Sequence, residues 1–206
     1  EVSNVVTSVD PVTLSTENHQ VTIDGQLSVI DFKTNSSVFN FHSVSDQKVP
    51  LAIEKLNANT SSKILITSWD KKSSNLVNAK TSIPGLDFTI SLNENGILDF
   101  SFTNAQNITL RYILHTSPKE LENNQIRKFT YFGNSVESLE VEEDSILEDK
   151  VKWVGIDFNY HLLAYVFESP GHFRINVNAK NNMMTLDEVN SKARNSFKIV
   201  FTKKNY

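Results

Sequence analysis

Residues 86–102 read LDFTISLNENGILDFSF. Leu86, Phe88, Ile90 and Leu92 alternate with Asp87, Thr89, Ser91 and Asn93. Past the polar stretch that follows, Leu98, Phe100 and Phe102 alternate with Asp99, Ser101 and Thr103. Successive side chains on a strand point to opposite faces, so each run is a strand with one face in a core and one in water. The Asn95-Gly96 pair between them tolerates the positive backbone angles of a tight hairpin. A third run, with Ile108, Leu110, Tyr112 and Leu114 on one side, predicts a three-stranded meander.

The same period of two predicts strands over 12–16, 21–24, 27–32, 63–68, 129–132, 173–179, 183–186 and 197–202. Thirteen Phe residues, mostly on the apolar faces of such runs, supply material for a sandwich core. Helical signals are few. Ser117-Pro118-Lys119-Glu120 has a capping residue, a proline at the first helical position and a glutamate at the third, but only Leu121 follows as an apolar residue. A short helix through Ile53 and Leu56 is predicted over 50–58, and a turn of helix or a loop over 187–195. Residues 35–48 lack periodicity and read as surface chain. The expected architecture is all-β, with antiparallel strands in two sheets and a few short helical turns. It forms one domain over residues 11–206 behind a tether at residues 1–10.

Composition narrows the function. A chain of 206 residues with 39% hydrophobic and 21% charged residues is in the globular range and long enough for one large β core. A net charge of −4 argues against nucleic acid, whose phosphates need a basic surface. No apolar run is long enough to span a membrane as a helix. No signal peptide is recognisable, and a start at Glu1 suggests an excised or processed piece. The chain has no cysteine, which excludes disulfides and thiolate chemistry but fixes no compartment.

Residues 152–167, KWVGIDFNYHLLAYVF, carry the densest signal. Val154, Ile156, Phe158, Tyr160 and Leu162 alternate with Gly155, Asp157, Asn159 and His161, and from Leu162 both faces turn apolar, as in a strand covered on both sides. A break near 157–159 is expected, because one strand of this length is unusual. Trp153-Val154-Gly155-Ile156, a polar pair, Tyr160, then Leu163-Ala164 before an apolar strand resembles a segment of the YidC membrane-protein insertases. That segment lies in the large periplasmic domain of the Gram-negative members, where an acidic stretch likewise leads into the Trp. Lys152 and Asp157 depart from the pattern, as does the single glycine of Asp24-Gly25-Gln26, where a Gly-Gly turn is common. The close match covers fewer than twenty residues, and a looser agreement of strand order runs from Pro11 to Lys204.

The resemblance implies a supersandwich like that of galactose mutarotases, following a first transmembrane helix that this chain lacks. It places the domain on the periplasmic face of the bacterial inner membrane. Implied partners are Sec translocon components and nascent membrane proteins. The implied role is non-catalytic: a monomeric scaffold or docking module that assists insertion and folding, while the insertion chemistry belongs to a membrane bundle outside this chain.

The residues themselves assign no catalytic, cofactor-binding or metal site. His19, His42, His115, His161 and His172 are scattered without metal spacing, and no HExxH, phosphate loop or serine-hydrolase elbow occurs. His115 is the one candidate acid or base for a sugar-processing sandwich, against the plainer reading of an exposed or capping histidine. Glu137, Glu140, Glu142, Glu143, Asp144, Glu148 and Asp149 read as a solvated loop, or second as a docking surface for a basic partner. Trp153, Phe158, Tyr160 and Tyr165 could line an aromatic groove, but core packing is the favoured reading. Trp69, at an expected strand end, is the candidate exposed aromatic. Asn35, Asn59 and Asn107 head Asn-x-Ser/Thr triplets and carry no weight in a chain so rich in these residues. The alternative function is a carbohydrate-binding or mutarotase-like sandwich; an adhesion module is a third.

Overall fold

A computed structural model describes residues 9–34, 37–40, 51–57, 60–103, 108–115, 128–133, 135–140, 142–157, 161–180, 183–188 and 196–203. The described residues form strands and turns and contain no helix. In chain order the strands are β1 (Val12–Ser15), β2 (His19–Ile23), β3 (Ser28–Thr34), β4 (Ser37–Asn40), β5 (Leu51–Asn57), β6 (Thr60–Lys63), β7 (Ile66–Ser73), β8 (Leu76–Thr81) and β9 (Asp87–Leu92). They continue as β10 (Ile97–Phe102), β11 (Thr109–His115), β12 (Lys128–Phe132), β13 (Val136–Glu140), β14 (Ser145–Asp157), β15 (His161–Asn178), β16 (Met183–Glu188) and β17 (Ser196–Lys203).

Every pairing is antiparallel, and the register divides the strands into two layers. One runs β1-β2-β3-β5-β11-β16-β15-β14, with short β4 beside β3 and short β6 beside β5. The other runs β7-β8-β9-β10-β17-β15-β14-β12-β13. β14 and β15 belong to both. Residues 173–178 of β15 pair with β16 in the first sheet, and residues 161–167 pair with β17 in the second. The β14–β15 register shifts between Val151 and Trp153, opposite the Glu168-Ser169-Pro170-Gly171 stretch of β15. Such an irregularity is how a strand turns a corner from one sheet to the other. On the far side the β7–β8 hairpin meets the first strands: the Ser15 amide of β1 donates to the Ser74 carbonyl of the β7–β8 turn, and the Ile66 amide of β7 to the Gly25 carbonyl of the β2–β3 turn. The sandwich is therefore nearly closed.

Between the layers lies one aromatic core. Tyr112 of β11 packs on Phe197 of β17 at 4.9 Å and on Phe167 of β15 at 5.3 Å, and Phe32 of β3 meets Phe201 of β17 at 5.1 Å. Among the described residues nine phenylalanines are buried: Phe32, Phe88, Phe100, Phe102, Phe129, Phe167, Phe173, Phe197 and Phe201. The Tyr165 hydroxyl, fully buried, donates to the Ile113 carbonyl of the opposite sheet, and burial pushes its pKa up.

The hairpin of residues 86–102 forms as its alternation predicts, with Phe88, Ile90, Leu92, Leu98, Phe100 and Phe102 buried. Gly96 has φ +77°, and an added Cβ would lie 2.6 Å from the His19 ring. Asn93 Oδ1 accepts the amides of Asn95 and Ile97 and closes the turn. The hairpin after β2 also survives its single glycine. Asp24 Oδ1 accepts the amides of Gln26 and Ser28, and the positive φ falls on Leu27 at 54°.

Several expectations are corrected. The meander ends after two strands: the second neighbour of β10 is β17, while β11 crosses to the other sheet between β5 and β16. The helix expected over 50–58 is strand β5. Leu51, Ala52, Ile53 and Glu54 are all buried there, and covering both faces erases the alternation that marks a strand. Ser37–Asn40 is strand in a segment read as surface chain, and of the β7–β8 hairpin the alternation predicts only the first three residues of β7. The strand read over 63–68 is split between β6 and β7, and the one read over 173–179 continues β15. The solvated loop at 137–149 is instead β13 and the first half of β14, both largely exposed. The break near 157–159 exists, but it reverses the phase. Leu162 is 37% exposed while Leu163, Tyr165 and Phe167 are buried, so β15 alternates and is not covered on both sides. Asp187 and Glu188 end strand β16, and the short helix around Ser117 lies outside the described residues. Val9 and Asp10, read as the end of a tether, are docked: the Val9 amide donates to Ile66 and Asp10 accepts from the Trp69 indole.

Candidate functional site

The two outer faces of the sandwich differ in chemistry. On the first sheet a single row of side chains crosses six strands: Lys63, Glu54, Arg111, Asp187, Arg174 and Glu148 are successive register partners. Their charges alternate. Arg111 grips Asp187 with Nε at 2.6 Å and Nη2 at 2.9 Å, and this pairing raises the arginine's pKa. Arg174 bonds Glu148 at 2.6 Å, and Arg174 first and His172 second hold that exposed carboxylate below its ordinary range. The row neutralises itself and offers no convergent free group.

The second sheet carries a half-buried apolar shelf where the 152–167 segment lies. Phe132, Trp153 and Val166 are register partners across β12, β14 and β15. Beside them run Gly155, Ala164, Val200 and Ile97 across β14, β15, β17 and β10. Trp153 stacks on Phe132 with centroids 6.3 Å apart and planes 18° off parallel. A Cβ on Gly155 would lie 3.5 Å from the indole, in ordinary van der Waals contact, so the ring sits beside this position. Trp153 is thus outward and half-buried, which corrects its assignment to the core. Tyr165 alone of the four aromatics is shown in the core; Phe158 and Tyr160 lie outside the described residues.

Further along the same face the shelf gives way to a polar cleft of about 890 Å³. Asp70, Asn78, Thr89, Ser101 and Ser196 are consecutive register partners on β7, β8, β9, β10 and β17, and Glu168 of β15 stands beyond them. Ser68, Lys80 and Asp87 form a second row. The Thr89 hydroxyl donates to Asn78 Oδ1 at 3.1 Å. Phe88 and Phe102 underlie the cleft, buried. The polar halves of residues 86–102 signalled this face in sequence. The row itself depends on register between strands up to about a hundred residues apart.

The remaining candidates are dispersed. His19 is half-buried against Gly96, and His172 is exposed beside Glu148. His115 and His161 stand at strand ends, and His42, Asn35, Asn59 and Asn107 lie outside the described residues. Among the described residues no three His, Cys, Asp or Glu side chains cluster as a metal site would. Trp69 is mid-strand, half-buried and bonded to Asp10, not an exposed strand-end aromatic. Of the acidic stretch, Glu137, Glu140, Glu142, Glu143 and Asp144 are exposed. Asp149 accepts from the Tyr131 hydroxyl at 3.0 Å; burial and then this bond push that hydroxyl up to about 12.

No family model matches the chain, and no characterised protein matches it by sequence. Among solved structures it is similar to the 4-α-glucanotransferase of Thermococcus litoralis, at TM-score 0.55 and 8% identity over 94% of this chain and 37% of that one. It is also similar to the galactosidase domain of the α-galactosidase-sucrose kinase AgaSK, at TM-score 0.52 and 11% identity over 94% of this chain and 40% of that one. The chain spans about two fifths of either neighbour. At these identities the likeness is one of fold, a large antiparallel two-sheet supersandwich.

Proposed function

We propose that this chain is the periplasmic domain of a YidC-type membrane-protein insertase. It acts as a non-catalytic scaffold and docking module at the inner membrane, alone or beside the Sec translocon. One observation carries the reading. The segment that bears the resemblance turns Trp153, Gly155, Ala164 and Val166 outward into one apolar shelf, while its other face anchors the strands that join the sheets. A half-buried apolar surface on a rigid sheet suits contact with a hydrophobic segment of a client or translocon subunit. Exposed Glu140, Glu142, Glu143 and Asp144 suit long-range attraction of a basic partner, weak per charge and screened by salt.

The test uses the full-length protein. Removing residues 35–195 and rejoining the ends leaves substantial insertion of simple substrates, whereas complete loss of insertion contradicts a scaffold. A photoreactive residue at position 153 crosslinks to a membrane partner. Replacing the four carboxylates by amides lowers that yield at low salt without changing the melting temperature. Unchanged crosslinking removes the acidic strands from the account. A second reading, a carbohydrate-binding sandwich, is favoured by the polar cleft alone.

A further inference from the structure

We propose that the cleft on the second sheet binds an uncharged glycan chain lying across the strands, along the row Asp70, Asn78, Thr89, Ser101, Ser196 and Glu168. This site does not depend on the insertase reading, since a docking domain can carry it beside the apolar shelf.

Three features select the ligand. The first is spacing. Side chains at matched register on neighbouring strands repeat every ~4.8 Å, close to the advance of one sugar ring along a glycan. An extended peptide advances about 3.3 Å per residue and pairs with strand edges rather than faces. The second is the donor set. The middle of the row is hydroxyl and amide, from Asn78, Thr89 and Ser101 with the nearly buried Ser196 at its inner end, groups that both donate and accept as sugar hydroxyls do. The third is charge. The lining holds three carboxylates, Asp70, Asp87 and Glu168, against the ammonium of Lys80, with Lys72 paired to Asp70 at the edge, so the face keeps a net negative charge that disfavours anionic chains. The cleft's size lies within the usual range for ligand sites, about 300–1,000 Å³, which suits a short oligosaccharide. Its aromatic floor is buried, so binding comes from hydrogen bonds without ring stacking and is of millimolar strength.

The test is a titration of the isotope-labelled chain with maltohexaose, cellohexaose and chitin hexasaccharide, followed by amide chemical shifts. At least one of them shifts Asn78, Thr89, Ser101 and Ser196 and saturates. Thr89→Val with Ser101→Ala weakens that binding about tenfold or more at an unchanged melting temperature, and a heparin hexasaccharide leaves the cleft unshifted. The proposal is overturned by the absence of cleft shifts with any neutral hexasaccharide at millimolar concentration, by shifts centred on Trp153 instead, or by undiminished binding by the double variant. Tighter binding of a tetralysine peptide at the same residues overturns it in favour of a cationic peptide site. None of these outcomes bears on the crosslinking at position 153, so the two proposals fail separately.

Discussion

At the residue scale, the sharpest constraints are where backbone meets backbone or a charge is trapped. Gly133 follows β12 where it passes over β14, and a Cβ there would sit 1.8 Å from the Lys150 carbonyl oxygen. Backbone cannot yield as a side chain can. Gly133→Ala therefore forces β12 away from β14 and costs about 1–3 kcal/mol, read as a lower urea midpoint with the slope unchanged. Asp24 is the trapped charge. Burial raises its pKa, more than the amides of Gln26 and Ser28 and the charge of Lys63 lower it. A carboxyl with a raised folded pKa binds its proton more tightly in the native state. Its contribution is complete below the unfolded pKa and is lost as pH rises through the folded value. At neutral pH the ionised group is a burden, while Asn at this position keeps the same acceptor. Asp24→Asn should melt at or above the parent at pH 7, with the difference shrinking toward acid. Asp24→Ala should melt below it. Melting curves across that pH range decide, and a less stable Asn variant at every pH refutes the account.

At the element scale, the alternating row on the first sheet ties β6, β5, β11, β16, β15 and β14 side by side. Its strongest link is the two-pronged pair Arg111–Asp187, whose side chains are 24% and 14% exposed. Charge-assisted bonds contribute roughly 1.5–3 kcal/mol. Removing one partner costs more than removing both, because the survivor is left partly buried without the group that compensated its charge. Arg111→Ala should therefore be clearly destabilising, since Asp187 then keeps only Arg174 as register partner. Arg111→Met with Asp187→Leu should recover much of the loss. A double-mutant cycle by chemical denaturation measures this, and simple additivity of the two single changes would remove the row from the account. The same scale explains which elements the sequence showed. β9 and β10 were legible because each has one wet face. β5 reads as helix because both its faces are covered. β13 and the first half of β14 were read as loop because Val136 and Ile146, at 60% and 68% exposed, break the apolar pattern on a ribbon wetted on both sides.

At the scale of the whole molecule, the β14–β15 hairpin makes the sandwich a single unit. Its two strands run through both sheets, so neither sheet can melt and leave the other its neighbours. One cooperative transition is the expectation. Trp69 and Trp153 both belong to the second sheet, whereas far-ultraviolet circular dichroism reports both sheets. The two probes should give coincident denaturant curves. An earlier tryptophan transition would mean that the second sheet opens alone. Most pairings join consecutive strands, but both sheets are completed by pairings between strands far apart in sequence, β10 with β17, β11 with β16 and β5 with β11, so folding should be slower than that of a simple meander.

The sequence by itself determined an all-β chain, the 86–102 hairpin with its Asn-Gly turn, and the apolar faces that became the core. These follow from alternation and turn chemistry, which act between near neighbours along the chain. It also placed a strand break near Asp157. Only the tertiary structure decided that β10 pairs β17, that Trp153 faces outward, and that Asn78, Thr89, Ser101 and Ser196 line one cleft. Those outcomes depend on which distant strands pair and in what register. A one-residue slip would move each of these side chains to the other face, and no local pattern in the chain encodes that choice.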